Sequence, residues 1–221
     1  MEQPIAPYIK AEELFEHDVN AFSISPVYKK YLKTVLIPNG FIVDRIEKMA
    51  EDIVDDFGSR KCKNIKMVCA LKGAFLFFNE LSIHIENTIH KRDLQISLSH
   101  EFIKLKSYMN QNSTGSVKIS TFEDSFFQDQ DVLLVDDIVD TGRTMSNFKE
   151  HIAKEKPKSV RVASMLSKKI PNRSYMPEFV GFEIPDEFII GFGLDYNEHF
   201  RNLRHIAILN ESGIEDLRVS E

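Results

Sequence analysis

Hydrophobic residues recur along this chain with two different spacings, which predict alternating helices and strands. From residue 39 to residue 58 they stand three or four positions apart, as on one face of a helix, with Asn39 and Gly58 as predicted end residues. Short continuous apolar runs are typical of buried strands instead. These patterns predict further helices at 73–89 and 142–155, and strands at 65–71, 96–105, 131–135, 159–166, 179–184, 188–194 and 206–209.

The alternation predicts an α/β fold, with a mainly parallel twisted sheet and helices on both faces. The C-terminal third is rich in strands without long helices between them, which predicts a small lobe over one edge of the sheet. A chain of 221 residues suits one domain. We therefore expect a single domain over 1–221, with a core at about 37–187 and a hood from about 1–36 and 188–221.

Residues 132–145, VLLVDDIVDTGRTM, carry the most chemical information. An apolar strand is followed by two acids, Asp136 and Asp137, and then by Asp140 at the start of a helical pattern. Open α/β sheets bind ligands where strand ends meet helix starts. Paired carboxylates can hold sugar hydroxyls or a divalent cation. A simpler interpretation, a buried strand with solvated acids and a helix cap at Asp140 or Thr141, suits a lone acid pair better than this whole run.

The start of the predicted helix supplies the groups that bind a phosphate. Its first N–H groups have no partner within the helix, and the helix dipole favours an anion there. Gly142 lets the backbone approach an oxygen closely because it has no Cβ. A ribose would separate the acids from the phosphate, so we predict a sugar-phosphate site. Its predicted phosphate ligands are Thr141, Gly142, Arg143 and Thr144.

Composition narrows the possible functions. A net charge of −6 and a pI near 5.7 argue against a general nucleic-acid or membrane-surface binder, so phosphate binding must be local. Cys62 and Cys69 form neither a disulfide framework nor a zinc pattern, and we expect a buried free thiol at Cys69, which lies in an apolar strand. No secretory leader or membrane-spanning run is predicted. A cytoplasmic, reducing setting is therefore expected, without nucleic-acid or membrane partners.

The run 132–145 resembles the phosphoribosyl-diphosphate signature of type I phosphoribosyltransferases, and within them the purine-salvage members that use hypoxanthine and guanine. That resemblance implies transfer of the 5-phosphoribosyl group from phosphoribosyl diphosphate to N9 of hypoxanthine or guanine, giving IMP or GMP and pyrophosphate. It also implies Mg²⁺ as cofactor and a homodimer or homotetramer. Further similar segments, from about residue 35 to about residue 213, are 35–40 (VLIPNG), 71–73 (LKG), 105–108 (LKSY), 113–115 (STG), 179–186 (FVGFEIPD) and 194–198 (LDYNE).

The resemblance also implies a role for individual residues. Asp140 is expected to accept the proton of purine N7, and the Leu71–Lys72 peptide can adopt a cis form. Arg143 stands where many relatives have lysine, and Ala74 where the family often has a second glycine. The implied sets are Asp136 and Asp137 for ribose; Lys72, Gly73 and Arg201 for pyrophosphate; Ser107 and Tyr108 for a lid; Lys168, Phe188, Ile189 and Asp195 for the purine; and Asp136, Asp137 and Asp195 for the metal.

Several alternatives stay open at this point. A regulatory protein that keeps the phosphoribosyl-diphosphate site but acts on RNA is disfavoured by the acidic pI and by the lack of a basic stripe. An inactive homologue remains possible, because residues alone do not show turnover. Among enzymes, transferases that accept xanthine or adenine are the alternatives.

Overall fold

The computed structural model describes residues 4–11, 16–104, 126–171 and 173–218, without the side chain of Lys104. A short 3₁₀ turn at Val19–Ala21 precedes most of the regular elements. The helices are α1 (Pro26–Lys29), α2 (Asn39–Ser59), α3 (Phe75–Lys91), α4 (Arg143–Ala153) and α5 (Glu211–Asp216). The strands are β1 (Ile9–Lys10), β2 (Leu32–Ile37), β3 (Asn64–Leu71), β4 (Ser97–Lys104), β5 (Asp131–Val139), β6 (Ser159–Lys168), β7 (Phe179–Ile184), β8 (Ile189–Ile190) and β9 (Ile206–Leu209).

These strands form two sheets. The larger has the order β1-β7-β6-β5-β3-β4, and every neighbouring pair in it is parallel. The smaller is antiparallel, with the order β2-β9-β8. The predicted α/β class with a mainly parallel sheet is confirmed. The strand order changes direction between β3 and β5, and ligands bind at such a switch point in open α/β sheets.

Helices cover both faces of the larger sheet because its strands alternate their side chains between two apolar clusters. In β5, Leu133 and Val135 pack in the cluster that holds the buried side chains of α2 and α3. Val132 and Leu134 pack instead with those of α4, such as Phe148. A strand buried on both faces reads as a continuous apolar run, which is why residues 132–135 show no polar alternation.

The strand that carries the acids is longer than predicted. We expected it to end at residue 135, before the two acids, but β5 continues to Val139. Asp136 pairs with Ser164 of β6, and Val139 with Ser167. Backbone pairing with β6 and the β-branched Ile138 and Val139 extend the strand through the acids. The helix consequently starts at Arg143, and its N-cap is Gly142 rather than Asp140 or Thr141.

Two of the other differences from the predicted boundaries have a local cause. The strand expected at 188–194 is only Ile189–Ile190, because Gly191 and Gly193 adopt φ of 93° and 98° and turn the chain. Pro38, not Asn39, is the N-cap of α2, while the Asn39 side chain donates to the carbonyl of Arg204. The expectation of a buried free thiol at Cys69 is confirmed. Both cysteines are free and buried, and burial raises the pKa of each to about 12.

Among the described residues, no helix combines the length and the apolar character that crossing a membrane requires.

Candidate active site

Three neighbouring parallel strands bring most of the predicted residues to one edge of the larger sheet. β3 lies beside β5, and β5 beside β6. Because the strands are parallel, their carboxyl ends share an edge. Three pieces therefore lie along the same rim. They are the segment at the end of β3 (71–73), the end of β5 with its loop (136–142), and Lys168 at the end of β6.

The paired acids are partly buried at the end of β5. The Asp137 N–H donates to Asp136 Oδ1 at 3.2 Å, and the Ile138 N–H donates to Asp137 Oδ1 at 3.0 Å. Burial and the neighbouring Asp137 charge raise the pKa of Asp136 well above its ordinary value. Burial also raises the pKa of Asp137, although the charge of Arg201 opposes that rise. Two acids held this close favour a proton or a cation between them.

The close pairing of Asp136 and Asp137 predicts a lower free energy of unfolding for the ligand-free protein when both acids are ionised. Because the folded-state pKa of Asp136 is raised, its ionisation penalty is absent below the ordinary value of 3.8 and grows as the pH rises toward the folded pKa. We expect Asp136→Asn to raise Tm by about 2–4 °C at pH 7, roughly 1 kcal/mol for a chain of this size, and to have little effect near pH 3.5. Thermal unfolding at both pH values measures this. Glu86→Gln, which changes an exposed carboxyl of α3, is the control, and an equal gain at both pH values would contradict the account.

The loop after β5 encloses a small cavity of about 100 Å³. Asp136, Asp140, Thr141, Gly142 and Thr144 are among its lining residues. The cavity therefore lies between Asp136 and the N-terminus of α4, which is where the predicted sugar phosphate would bind.

The same loop is held in place from outside by residues that the sequence did not single out. Ser174 donates to the Thr141 carbonyl through both its N–H, at 2.9 Å, and its hydroxyl, at 2.7 Å. Gly142 has φ of 82°, and a Cβ there would lie 2.8 Å from the Tyr175 carbonyl oxygen. Residues 174 and 175 thus fix the backbone conformation of the predicted phosphate loop.

The segment after β3 packs directly against the acids. Its Leu71–Lys72 peptide bond is cis. A Cβ added to Gly73 would lie 1.6 Å from Asp137 Oδ2, so no side chain fits at position 73. On the other side, a Cβ at Gly193 would lie 2.0 Å from the Gly73 carbonyl oxygen. The two glycines allow three chain segments to meet beside the carboxylates.

The cations predicted to bind pyrophosphate lie together in a small ionic cluster. Lys72 Nζ is 3.1 Å from Glu198 Oε2, and Arg201 Nη2 is 3.4 Å from Glu198 Oε1. Arg201 also pairs with Asp195 Oδ1 at 2.7 Å and donates to the Gly193 carbonyl at 2.9 Å. The two cations lower the pKa of the exposed Glu198 carboxyl. Glu198 is a further member of the site. Its position between Lys72 and Arg201, the two predicted pyrophosphate-binding cations, is visible only in the folded structure.

Two of the predicted purine-binding residues have partners at the same rim. Lys168 Nζ pairs with Asp186 Oδ1 at 2.8 Å. Phe188 is half exposed, and its ring meets the ring of Tyr196 edge to face at 5.1 Å. Ile189 is buried in β8, which leaves its backbone rather than its side chain for ligand contacts.

The acids fit a magnesium ion that is shared with a substrate. The described residues contain no cluster of three or more His, Cys, Asp or Glu that could hold a metal by itself. Mg²⁺ is commonly held by one or two carboxylates together with substrate phosphate oxygens. Asp136 and Asp137, whose pKa values are raised first of all by burial, have this chemistry. Asp195, predicted as a third contact, is paired with Arg201.

The predicted lid residues, Ser107 and Tyr108, lie outside the described part of the chain.

Comparison with known proteins shows similarity over nearly the whole chain. The family model "Phosphoribosyl transferase domain" matches residues 37–197. Hypoxanthine-guanine phosphoribosyltransferase of Bos taurus is 43% identical over 199 residues, 89% of this chain and 90% of that protein. Human phosphoribosyltransferase domain-containing protein 1 is 42% identical over 205 residues, 92% of this chain and 90% of that protein. A crystal structure of hypoxanthine-guanine phosphoribosyltransferase from Schistosoma mansoni in complex with IMP has a TM-score of 0.81 and 37% identity, covering 96% of this chain and 99% of that one.

Proposed function

Because the chain belongs to the phosphoribosyltransferase family, as its motifs predicted, we propose that it acts in purine salvage by making IMP or GMP from hypoxanthine or guanine. The 5-phosphoribosyl group comes from phosphoribosyl diphosphate, and pyrophosphate leaves. The observation that carries this proposal is the shared rim of β3, β5 and β6, with its paired acids, a small cavity beside Asp136 and the ionic cluster of Lys72 and Arg201. The relative solved with IMP, a product of this reaction, supports the same assignment.

The ribose 5-phosphate occupies the loop at the start of α4. Backbone N–H groups of 141–144 donate to the phosphate oxygens, aided by the helix dipole. Thr141 and Thr144 add hydroxyl donors, and Arg143 adds charge. Asp136 and Asp137 accept from the ribose hydroxyls, since ionised carboxylates are pure acceptors. The cavity that Asp136 lines together with Thr141 and Thr144 supports this arrangement.

Pyrophosphate is bound on the β3 side of the acids. Lys72 and Arg201 supply the positive charge, and the backbone at Gly73 approaches closely because no Cβ intervenes. Asp136 and Asp137 would hold Mg²⁺ together with substrate oxygens, and the bound ion would neutralise charge on the leaving group. Holding a second Mg²⁺ through water is the alternative to a purine contact for Asp195. Binding pyrophosphate requires Lys72 and Arg201 to exchange their contacts with Glu198 for contacts with the ligand.

The transfer exchanges one bond at the ribose C1 atom for another. The bond from C1 to the pyrophosphate oxygen breaks with its electron pair, and C1 gains oxocarbenium character. The lone pair of purine N9 then forms the new C–N bond. The purine must lose the proton on N7, and Asp140, exposed in the loop beside Asp136, accepts it as general base.

Lys168 selects the base. Its ammonium group donates to the 6-oxo oxygen of hypoxanthine or guanine, whereas adenine presents an amine donor that cannot accept. Phe188 stacks on the purine, and the backbone at Ile189 and the Asp195 carboxylate complete the contacts. Lys168 Nζ lies near the rim but is paired with Asp186 at 2.8 Å, so donating to the base requires it to share or exchange that contact.

Removing the Lys168 ammonium should therefore weaken oxopurine binding selectively. A hydrogen bond from a charged group contributes about 1.5–3 kcal/mol, so we expect Lys168→Ala to raise KM for hypoxanthine roughly 10- to 100-fold. KM for phosphoribosyl diphosphate should change little, and adenine should remain a poor substrate. Steady-state kinetics with each base measures this, with Lys169→Ala as the neighbouring control. Equal KM values in Lys168→Ala and wild type would remove Lys168 from the purine site.

The setting and assembly follow the family relationship. We propose a homodimer or homotetramer, which light scattering of the purified protein would measure. Two free, buried thiols are compatible with a reducing compartment, and we propose the cytoplasm.

A further inference from the structure

The C-terminal helix α5 is connected to the purine side of the rim through Tyr196. Phe188 leaves 46% of its surface exposed, although large apolar side chains are usually buried. Its ring meets Tyr196 with 5.1 Å between centroids and planes at 88°. This edge-to-face geometry is a favourable aromatic contact that restricts the orientation of both rings.

Tyr196 is in turn held by the C-terminal segment. Its hydroxyl donates to the Ile214 carbonyl of α5 at 3.0 Å. The next residue, Asn197, donates from Nδ2 to the Leu217 carbonyl at 2.8 Å. Two adjacent side chains of the 195–199 turn therefore hydrogen-bond to the backbone of one short segment.

That segment is itself fixed to the smaller sheet. Asn210 accepts from the Gly213 N–H at 2.8 Å and donates to the Lys30 carbonyl at 2.9 Å. A Cβ at Gly213 would lie 2.3 Å from Leu209 Cδ2, so α5 packs closely on the end of β9. The helix that accepts the hydroxyl bond of Tyr196 is therefore itself held firmly in the fold.

We propose that Tyr196 is a positioning residue for purine binding, which holds the Phe188 ring in the orientation that stacks on the base. α5 is then a structural part of the purine site, through the bond that its Ile214 carbonyl accepts from Tyr196. The inference rests on the proposed contact of Phe188 with the purine. Because the free Phe188 ring would otherwise lose rotational freedom on stacking, holding it in advance improves the affinity for the base.

Tyr196→Phe tests this with the smallest change, since it keeps the ring and removes only the hydroxyl bond to α5. We expect KM for hypoxanthine and guanine to rise about three- to tenfold, the usual range for one neutral hydrogen bond. KM for phosphoribosyl diphosphate and kcat should stay within about twofold, because the hydroxyl bond to Ile214 is separate from the ion pairs that Arg201 makes with Asp195 and Glu198, and the phosphate loop lies on other elements.

Tyr28→Phe is the matched control. It removes a tyrosine hydroxyl bond of similar length, 2.9 Å to Asn202 Oδ1, from a ring that meets Phe200 instead of Phe188. We expect its purine KM to equal that of wild type. A comparable rise in both variants would assign the effect to general loosening and overturn the proposal.

A double-mutant cycle with Phe188→Ala separates this inference from the proposed function. If Tyr196 acts through Phe188, Tyr196→Phe raises purine KM in wild type but adds nothing in the Phe188→Ala background. Equal effects in both backgrounds, no effect of Tyr196→Phe, or an equal rise in both substrate KM values would overturn the positioning role. If Phe188→Ala itself leaves purine KM unchanged, the proposed purine contact is wrong and the inference falls with it.

Discussion

Asp140→Asn should lower kcat by about 10²- to 10⁴-fold, the contribution typical of a positioned general base. Asparagine keeps the size of the side chain and one oxygen acceptor, but it cannot take the purine N7 proton. The backbone donors of 141–144 and the paired acids are untouched, so the affinity for phosphoribosyl diphosphate should stay within a few fold. Turnover at saturating substrate and calorimetric titration of phosphoribosyl diphosphate measure the two quantities separately.

Asp129→Asn is a suitable control for that result. Asp129 is exposed just before the opposite end of β5, and asparagine tolerates its φ of 57°. We expect its kcat to match wild type. If Asp140→Asn kept kcat within about tenfold of wild type, Asp140 would not be the base. If it lost phosphoribosyl-diphosphate binding instead, its role would be in holding the ribose.

Gly73→Ala should be nearly as damaging although it adds only a methyl group. The new Cβ would lie 1.6 Å from Asp137 Oδ2. The loop cannot simply withdraw, because Gly193 is packed against the Gly73 carbonyl on its other side. Either Asp137 or the pyrophosphate loop must move by an ångström or more. A displacement of that size can reduce rates about 10²-fold, so we expect at least this loss in kcat/KM for phosphoribosyl diphosphate.

Gly58→Ala provides the matched comparison. Nothing lies within 4 Å of a Cβ at Gly58 in α2, so the methyl group meets open space and should leave activity unchanged. Alanine also favours a helix over glycine by about 1 kcal/mol, which should raise Tm slightly. Near-wild-type activity of Gly73→Ala would mean that the β3 segment has room to adapt, and that its close contact with Asp137 is unimportant.

The sequence predicted the parts of the fold that depend on long, regular patterns. The apolar run at 132–135 gave the buried strand, and the helical spacing in 39–58 matched α2 within a residue. It did not predict where β5 ends, because the acids looked like a strand boundary while pairing with β6 continues past them. The length of β8 was overestimated for a related reason, since the positive φ of Gly191 and Gly193, which follow it, is set by tertiary packing.

The sequence was enough to predict many of the residues that form the site, but not the contacts between them. Asp136, Asp137 and the loop 140–144 are close in sequence, so a single motif contains them. Glu198 and Tyr196 are different, because their importance comes from partners supplied by other segments. Lys72 reaches Glu198 across 126 positions, and Tyr196 reaches Ile214 across 18. Only the folded chain shows that Glu198 lies between two cations and that Tyr196 connects α5 to the proposed purine site.

The most direct test of the central proposal is product identification with the unmodified protein. Purified protein is mixed with Mg²⁺, phosphoribosyl diphosphate and one purine base at a time, and nucleotide and pyrophosphate are quantified. We predict IMP from hypoxanthine and GMP from guanine, each with one pyrophosphate, and little or no AMP from adenine. Failure to form either nucleotide, or a preference for adenine, would contradict the proposed function.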